Sequence, residues 1–144
     1  RESLINELLP LALVATPNIP EATALCGIAI ESPDDMKRAA RTIHKMGARN
    51  VVVKGGHLSG DALDILYDGK DFHVHKTGRI ATGDTHGTGC TYSAAIAAAL
   101  AQGESVPAAV ESAKRYITAA IRNSLRLGSG HGPTNHLAPI TSRP

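Results

Sequence analysis

The sequence predicts an α/β protein with a mainly parallel central sheet and one antiparallel hairpin. Short apolar runs at residues 11–15 and 51–53 alternate with stretches whose apolar residues recur at helical spacing. Asp68-Gly69, a strong hairpin signal, lies between the strand-like residues 62–67 and 72–75 and folds one back beside the other.

Taken in order, residues 2–9 read as a helix, with Leu4, Ile5, Leu8 and Leu9 on one face and Pro10 ending it. Residues 11–15 are uniformly apolar, as in a strand covered on both faces, and Thr16-Pro17-Asn18 stops them. Residues 20–25 form a short helix. Ser32-Pro33-Asp34-Asp35 then combines a capping Ser, a Pro at the first helical position and acids in the first turn. Met36, Ala39, Ala40 and Ile43 give that helix its inward face, and Gly47 closes it. Residues 50–54 are a buried strand ending at Gly55-Gly56-His57.

Beyond the hairpin, Gly87-Thr88-Gly89-Cys90 feeds an Ala-rich run that predicts a helix ending near Gly103. Ser105 caps the next helix, with Pro107 near its start. Its inward face is Val106, Val110, Ala113, Ile117 and Ile121. The Gly- and Pro-rich residues 128–136 have the composition of a loop. No internal repeat and no interdomain linker is visible.

Composition narrows the function. The 144 residues are 42% apolar and 19% charged, the balance of a soluble globular domain, and with one Phe and no Trp the core falls to Ala, Leu, Ile and Val. A net charge of +2 with scattered Lys and Arg gives no basis for nucleic-acid binding. No apolar run reaches membrane-spanning length and no signal-peptide pattern is present. Cys26 and Cys90 are too few and too ill-spaced for a disulfide scaffold or a thiolate metal site, and a cytoplasmic chain with free thiols is expected. The pairs His73/His75 and His131/His136 lack the further ligands of a zinc site.

In an open α/β sheet, ligands gather at the loops after the carboxyl ends of strands. Three polar clusters fall there. In the first, Asn18 and Glu21 can orient hydrated magnesium or cap a helix, and the two roles are compatible. In the second, Lys54 suits a phosphate or nucleotide, or is a solvated strand-end charge. Gly55-Gly56 either admits a ligand to the backbone or only turns the chain, and His57, like His86, is a phosphate donor or an exposed turn residue. In the third, Gly87-Thr88-Gly89-Cys90 is an anion seat built from unpaired helix-end N–H groups, or only a crowded turn. Cys90 sits where a helix terminus favours a thiolate, although free cysteines are commonly buried and inert. Asp84 manages magnesium or phosphate charge, or caps the N–H groups of Thr85 and His86. Neither a P-loop nor a dinucleotide fingerprint is present.

Residues 16–22, 53–57, 85–91, 93–98 and 130–136, taken together and in this order, resemble the carboxyl-terminal part of the hydroxymethylpyrimidine/phosphomethylpyrimidine kinases. These are thiamin-pathway members of the ribokinase-like superfamily. The resemblance covers nearly the whole sequence. It implies the carboxyl-terminal part of a ribokinase-like three-layer fold, with residues 1–136 belonging to a single kinase domain and residues 137–144 forming a flexible tail. It also implies ATP- and Mg2+-dependent phosphorylation of 4-amino-5-hydroxymethyl-2-methylpyrimidine and then of its monophosphate.

By the same resemblance Gly87, Thr88 and Gly89 match the anion-hole loop, and Cys90 matches the residue that faces the substrate hydroxyl and moves its proton. Asn18 and Glu21 match the magnesium-associated Asn-x-x-Glu pattern. Lys54, Asp84 and Thr85 fall on the nucleotide-phosphate side, and Lys114 borders the base or ribose. The family's usual residue at position 84 is Asn, so Asp84 is a departure that resembles the wider sugar-kinase pattern. Family members also carry an amino-terminal half with most pyrimidine contacts. The expectation is therefore part of a longer enzyme, whose other half is its partner, with a homodimer open and no nucleic-acid or membrane partner. Two alternatives stand beside this reading: a pyridoxal/pyridoxine kinase of the same family, and a noncatalytic nucleotide-binding fragment.

Overall fold

In a computed structural model the chain forms β1 (Val14–Ala15), α1 (Ile19–Cys26), α2 (Pro33–Lys45), β2 (Asn50–Lys54), β3 (Ala62–Tyr67), β4 (Phe72–Thr77), α3 (Thr88–Ala101) and α4 (Val106–Arg122). The structure describes residues 1–56, 60–125, 127 and 129–138. His57 and residues 139–144 of the expected tail lie outside the described residues. The chain divides into two compact units, Arg1–Gly78 and Arg79–Pro144.

The first unit carries a four-stranded sheet in the order β1-β2-β3-β4. β1 runs parallel to β2, with Val14 opposite Asn50 and Ala15 opposite Val51. The β2–β3 and β3–β4 pairings are antiparallel. The α/β class stands, but the expected predominance of parallel pairing does not hold among the described residues. The reason is connection length. A parallel return needs a crossover of about a dozen residues or more. The chain between β1 and β2 contains α1 and α2, whereas β2 and β3 are joined only by residues 55–61.

The central strand is buried on both sides: Val51, Val52 and Val53 are all fully excluded from solvent. Alternation along the strand turns Val51 and Val53 to one face and Val52 to the other. Met36, Ala39, Ala40 and Ile43 of α2 join Val51, Val53 and Ile65 in one apolar cluster with Ala22 and Leu25 of α1. Burying each Met, Ile or Val there contributes about 1.5–3 kcal/mol. α2 begins as its sequence predicts, with the Ser32 hydroxyl accepting from the Asp35 amide at 3.2 Å. That hydroxyl also donates to the Asp35 carboxylate and holds it below its ordinary pKa.

Two local expectations are revised. The opening segment is a π-helical turn, Leu4–Leu8, followed by a 3-10 turn, Leu9–Leu11, that contains Pro10 instead of stopping before it. Pro is tolerated because the first turn of a helix needs no N–H from it. The strand expected over residues 11–15 contracts to Val14–Ala15. Just before it, the Asn50 side chain donates to the Leu13 carbonyl at 2.8 Å and the Arg49 amide to Ala12 at 3.1 Å. Side-chain and loop bonds thus replace strand pairing there.

The second unit pairs α3 with α4. Tyr92, Ile96 and Ala99 are buried on α3, and Val110, Ala113, Ile117 and Ala120 on α4. The segment after α4 is held where α4 ends and α3 begins. The Asn135 amide donates to Ala120 at 3.1 Å, and His86 forms a parallel bridge with Pro133. No helix among the described residues is long and apolar enough to cross a membrane.

Candidate functional site

Two of the three polar clusters come together in the first unit. Pro17 and Asn18 follow β1, and Lys54 ends the neighbouring β2. The Lys54 amide donates to the Pro17 carbonyl at 2.9 Å, and Asn18 and Lys54 form a parallel bridge. The amino terminus of α1 therefore stands beside the end of β2. Asn18 and Glu21 make a complete capping box: the Glu21 amide donates to Asn18 Oδ1 and the Asn18 amide to Glu21 Oε2, each at 2.8 Å. The cap is thus formed.

Magnesium is compatible with the cap. Each carboxylate oxygen has more than one lone pair, and the ion usually keeps several waters and takes one or two carboxylates from protein. Glu21 is solvent-exposed and has oxygen to spare, so Glu21, with Asn18 beside it, fits a hydrated ion held largely through water. Among the described residues no group of three or more His, Cys, Asp or Glu forms a closed metal cage.

The turn after Lys54 is governed by close packing. A Cβ on Gly55 would strike the Leu63 carbonyl oxygen and come within 2.9 Å of Met36 Cε. The Gly55 amide is shared between the Leu63 carbonyl at 2.7 Å and the Asp64 carboxylate at 3.1 Å. Asp64 is only 5% exposed. Sequence reading places it merely within a strand. The available signal is a carboxylate between Leu63 and Ile65, where buried acids are uncommon without a partner.

The third cluster lies in the second unit. Gly87 takes the left-handed conformation, φ 81°, at the N-cap of α3. Such geometry is easy for Gly and costly for other residues. The Thr88 hydroxyl folds back onto the Thr85 carbonyl at 2.7 Å, and the Thr88 amide reaches the same oxygen at 3.3 Å. The Thr91 amide closes the first helical bond to Gly87 at 2.9 Å. Among the described residues, the Gly89 and Cys90 amides have no protein acceptor. They point where a helix end concentrates positive potential. Cys90 is a free, exposed thiol at the same end.

Asp84 does not cap the turn. The Thr85 amide donates to Gly83 at 3.0 Å and the His86 amide to Gly132 at 3.2 Å. Asp84 is instead buried, at 9% exposure, against Gly132, and its own amide is held by the Thr82 hydroxyl. Lys114 is likewise buried, at 8% exposure on α4.

An open groove of about 770 Å³ runs between α3 and α4, lined by Cys90, Thr91, Ala94, Ala98, Tyr116 and His136 among others. Lys114 is not part of its lining. His136 is fixed twice. Its ring meets the Thr91 hydroxyl at 3.0 Å, and its carbonyl accepts from the Tyr116 hydroxyl at 2.8 Å.

The arrangement offers a helix end with two amides lacking an acceptor among the described residues beside a thiol in one unit, and a cation-and-carboxylate cluster in the other. Both suit chemistry on phosphate. A family model described as phosphomethylpyrimidine kinase matches residues 1–135. The chain is 55% identical, over 93% of its length, to 28% of the thiamine biosynthesis bifunctional protein ThiED of Geobacter sulfurreducens. It is 47% identical, over 94% of its length, to 50% of the hydroxymethylpyrimidine/phosphomethylpyrimidine kinase of Streptomyces coelicolor. Among solved structures, an ADP complex of Bacillus subtilis pyridoxal kinase superposes with a TM-score of 0.93 at 45% identity, covering 98% of this chain and 56% of that one. The chain thus spans about half the length of the single-function kinase it matches.

Proposed function

Because the chain belongs to the phosphomethylpyrimidine kinase family, we propose that it supplies the phosphoryl-transfer part of an enzyme that phosphorylates hydroxymethylpyrimidine and its monophosphate with ATP. The observation that carries this reading is the α3 amino terminus, where the Gly89 and Cys90 amides have no acceptor among the described residues and Cys90 is exposed beside them.

In this mechanism the Gly87–Cys90 turn binds the phosphoryl group through backbone N–H donors aimed at charge that develops during transfer. The acceptor hydroxyl oxygen forms the new P–O bond as the bond to the ADP oxygen breaks, and Cys90 takes the hydroxyl proton. Lys54 neutralises nucleotide phosphate, while Asp84 and Thr85 hold the loop that leads into α3. Lys114 acts from within α4, at the nucleotide side. Asn18 and Glu21 are the residues that would hold magnesium, which when bound would supply positive charge to offset that of the phosphate oxygens. The other half of the enzyme supplies most acceptor contacts, and the activity is cytoplasmic.

ADP release by this chain together with the other half of the enzyme, with each alcohol in turn, tests the proposal. Pyrimidine-dependent ADP formation supports it. ATP binding with no alcohol-dependent turnover would reduce the chain to a nucleotide-binding fragment. A second reading, pyridoxal phosphorylation, draws on the likeness to the B. subtilis pyridoxal kinase. Preferential turnover of pyridoxal would decide for it.

A further inference from the structure

We propose that Asp64 is a positioning residue that sets the Lys54-Gly55-Gly56 turn and thereby aims Lys54 at its ligand. The inference rests on the reading of Lys54 as a nucleotide-phosphate contact. Asp64 stands directly opposite Lys54 in the β2–β3 register, so the two side chains project from the same face of the sheet. Opposite charges so placed ordinarily pair. Here Lys54 forms no ion pair among the described residues. The Asp64 carboxylate accepts the Gly55 amide instead.

Burying a carboxylate is costly unless its oxygens are hydrogen-bonded. An amide that donates to a charged acceptor is held more firmly than one that donates to a neutral carbonyl. The Gly55 amide has both kinds of acceptor, Leu63 and Asp64, and its Cα is pressed so closely on β3 and Met36 that no side chain fits. The residue immediately after Lys54 is thus fixed by packing on one side and by a buried charge on the other. Lys54 itself is fixed through its amide to Pro17. Its backbone is anchored on both flanks while its ammonium pairs with no carboxylate among the described residues. This is the condition for meeting a phosphate without first breaking an internal ion pair.

The test uses the 144-residue chain and a fluorescent ATP analogue, with Asp64→Ala, Asp64→Asn, Lys54→Met and the Asp64→Ala/Lys54→Met double variant. Each is first checked for cooperative unfolding. Asp64→Asn keeps an oxygen for the Gly55 amide but loses the charge and is expected to weaken binding about threefold, whereas Asp64→Ala weakens it about tenfold. On the Lys54→Met background the same Ala substitution is expected to cost less than about twofold, because its effect passes through Lys54. Unchanged binding by folded Asp64→Ala, or an equal loss with and without Lys54, would overturn the proposal.

Amide exchange at Gly55 in the unmodified chain provides a measurement that needs neither a folded Ala variant nor bound nucleotide. Strong protection is expected, and exchange at the rate of a free peptide would overturn the turn-setting role. A parent chain that protects Gly55 but binds no nucleotide would instead overturn the functional reading of Lys54, and the ligand-aiming role with it.

Discussion

Gly132 leaves open the space that the Asp84 carboxylate fills. A Cβ at position 132 would collide with Asp84 Oδ1 and stand 2.7 Å from its Cγ. The contact joins the approach to α3 to the segment after α4, whose Gly132 carbonyl also accepts the His86 amide. Asp84 is thus tied through this segment to the approach to the Gly87–Cys90 turn.

Gly132→Ala should therefore destabilise the chain by about 1–3 kcal/mol, the usual range for overpacking a filled site. Thermal unfolding measures this. Asp84→Ala in the same chain removes the colliding atoms, so the double variant should recover most of the loss beyond that of Asp84→Ala alone. Additive losses would mean that the two residues do not share the space.

Asn18 and Glu21 separate a structural role from a metal role. Asn18→Ala removes the oxygen that accepts the Glu21 amide and should cost about 1 kcal/mol in urea unfolding. Glu21→Gln keeps an oxygen for the Asn18 amide but removes the charge. Its unfolding midpoint should stay near the parent's, while the Mg2+ concentration needed for half-maximal ADP formation rises. An unchanged Mg2+ requirement would leave the capping box as the whole role of Glu21.

Cys90 is exposed at the first turn of α3, so its substitution should leave folding nearly intact. Cys90→Ala should lower pyrimidine-dependent ADP formation about 10²–10⁴-fold, the range for losing a general acid–base group, with little change in ATP-analogue binding. Steady-state turnover beside analogue titration reads both quantities. Full turnover by the Ala variant would remove Cys90 from proton transfer.

Asp68 provides a pH-dependent prediction far from phosphate chemistry. In the β3–β4 turn its carboxyl is lowered to about 2, chiefly by the Asp71 amide, then by the His73 side chain and the Lys70 amide. The ordinary value is 3.8. A depressed folded-state value means that the stabilisation is fully present above the unfolded value and is lost as pH falls through the folded one. Unfolding midpoints of the parent should thus fall between about pH 4 and pH 2, with a shallower fall in Asp68→Asn. Parallel pH profiles would contradict this assignment.

The sequence makes the helices and central strand legible because local signals and burial agree. Ser32, Pro33 and the Met36/Ala39/Ala40/Ile43 face all point to α2, and the structure has it at Pro33–Lys45. The Gly87–Cys90 entry into α3 is legible for the same reason. Sheet direction was less so. Apolar strands of either sense look alike, and only the short passage from Lys54 to Ala62 marks the antiparallel return. The roles of Asp64 and Asp84 depend on partners at Gly55 and Gly132, the latter 48 residues away by their numbers (132 − 84). Helical and strand periodicity carry no information about contacts of that kind.

The seam between β1 and β2 has a consequence in time. Two register pairs join these strands, with a few flanking hydrogen bonds, whereas six join β3 to β4. Where paired backbone is scarce, local opening takes less free energy. β1 is then the first strand to loosen, and the α1 end that bears Asn18 loosens with it, ahead of Lys54. A ligand spanning Asn18 and Lys54 would act as a clasp across this seam. Its binding free energy would slow the earliest opening of the sheet, so occupancy could be followed as a longer lifetime of the β1 amides against exchange.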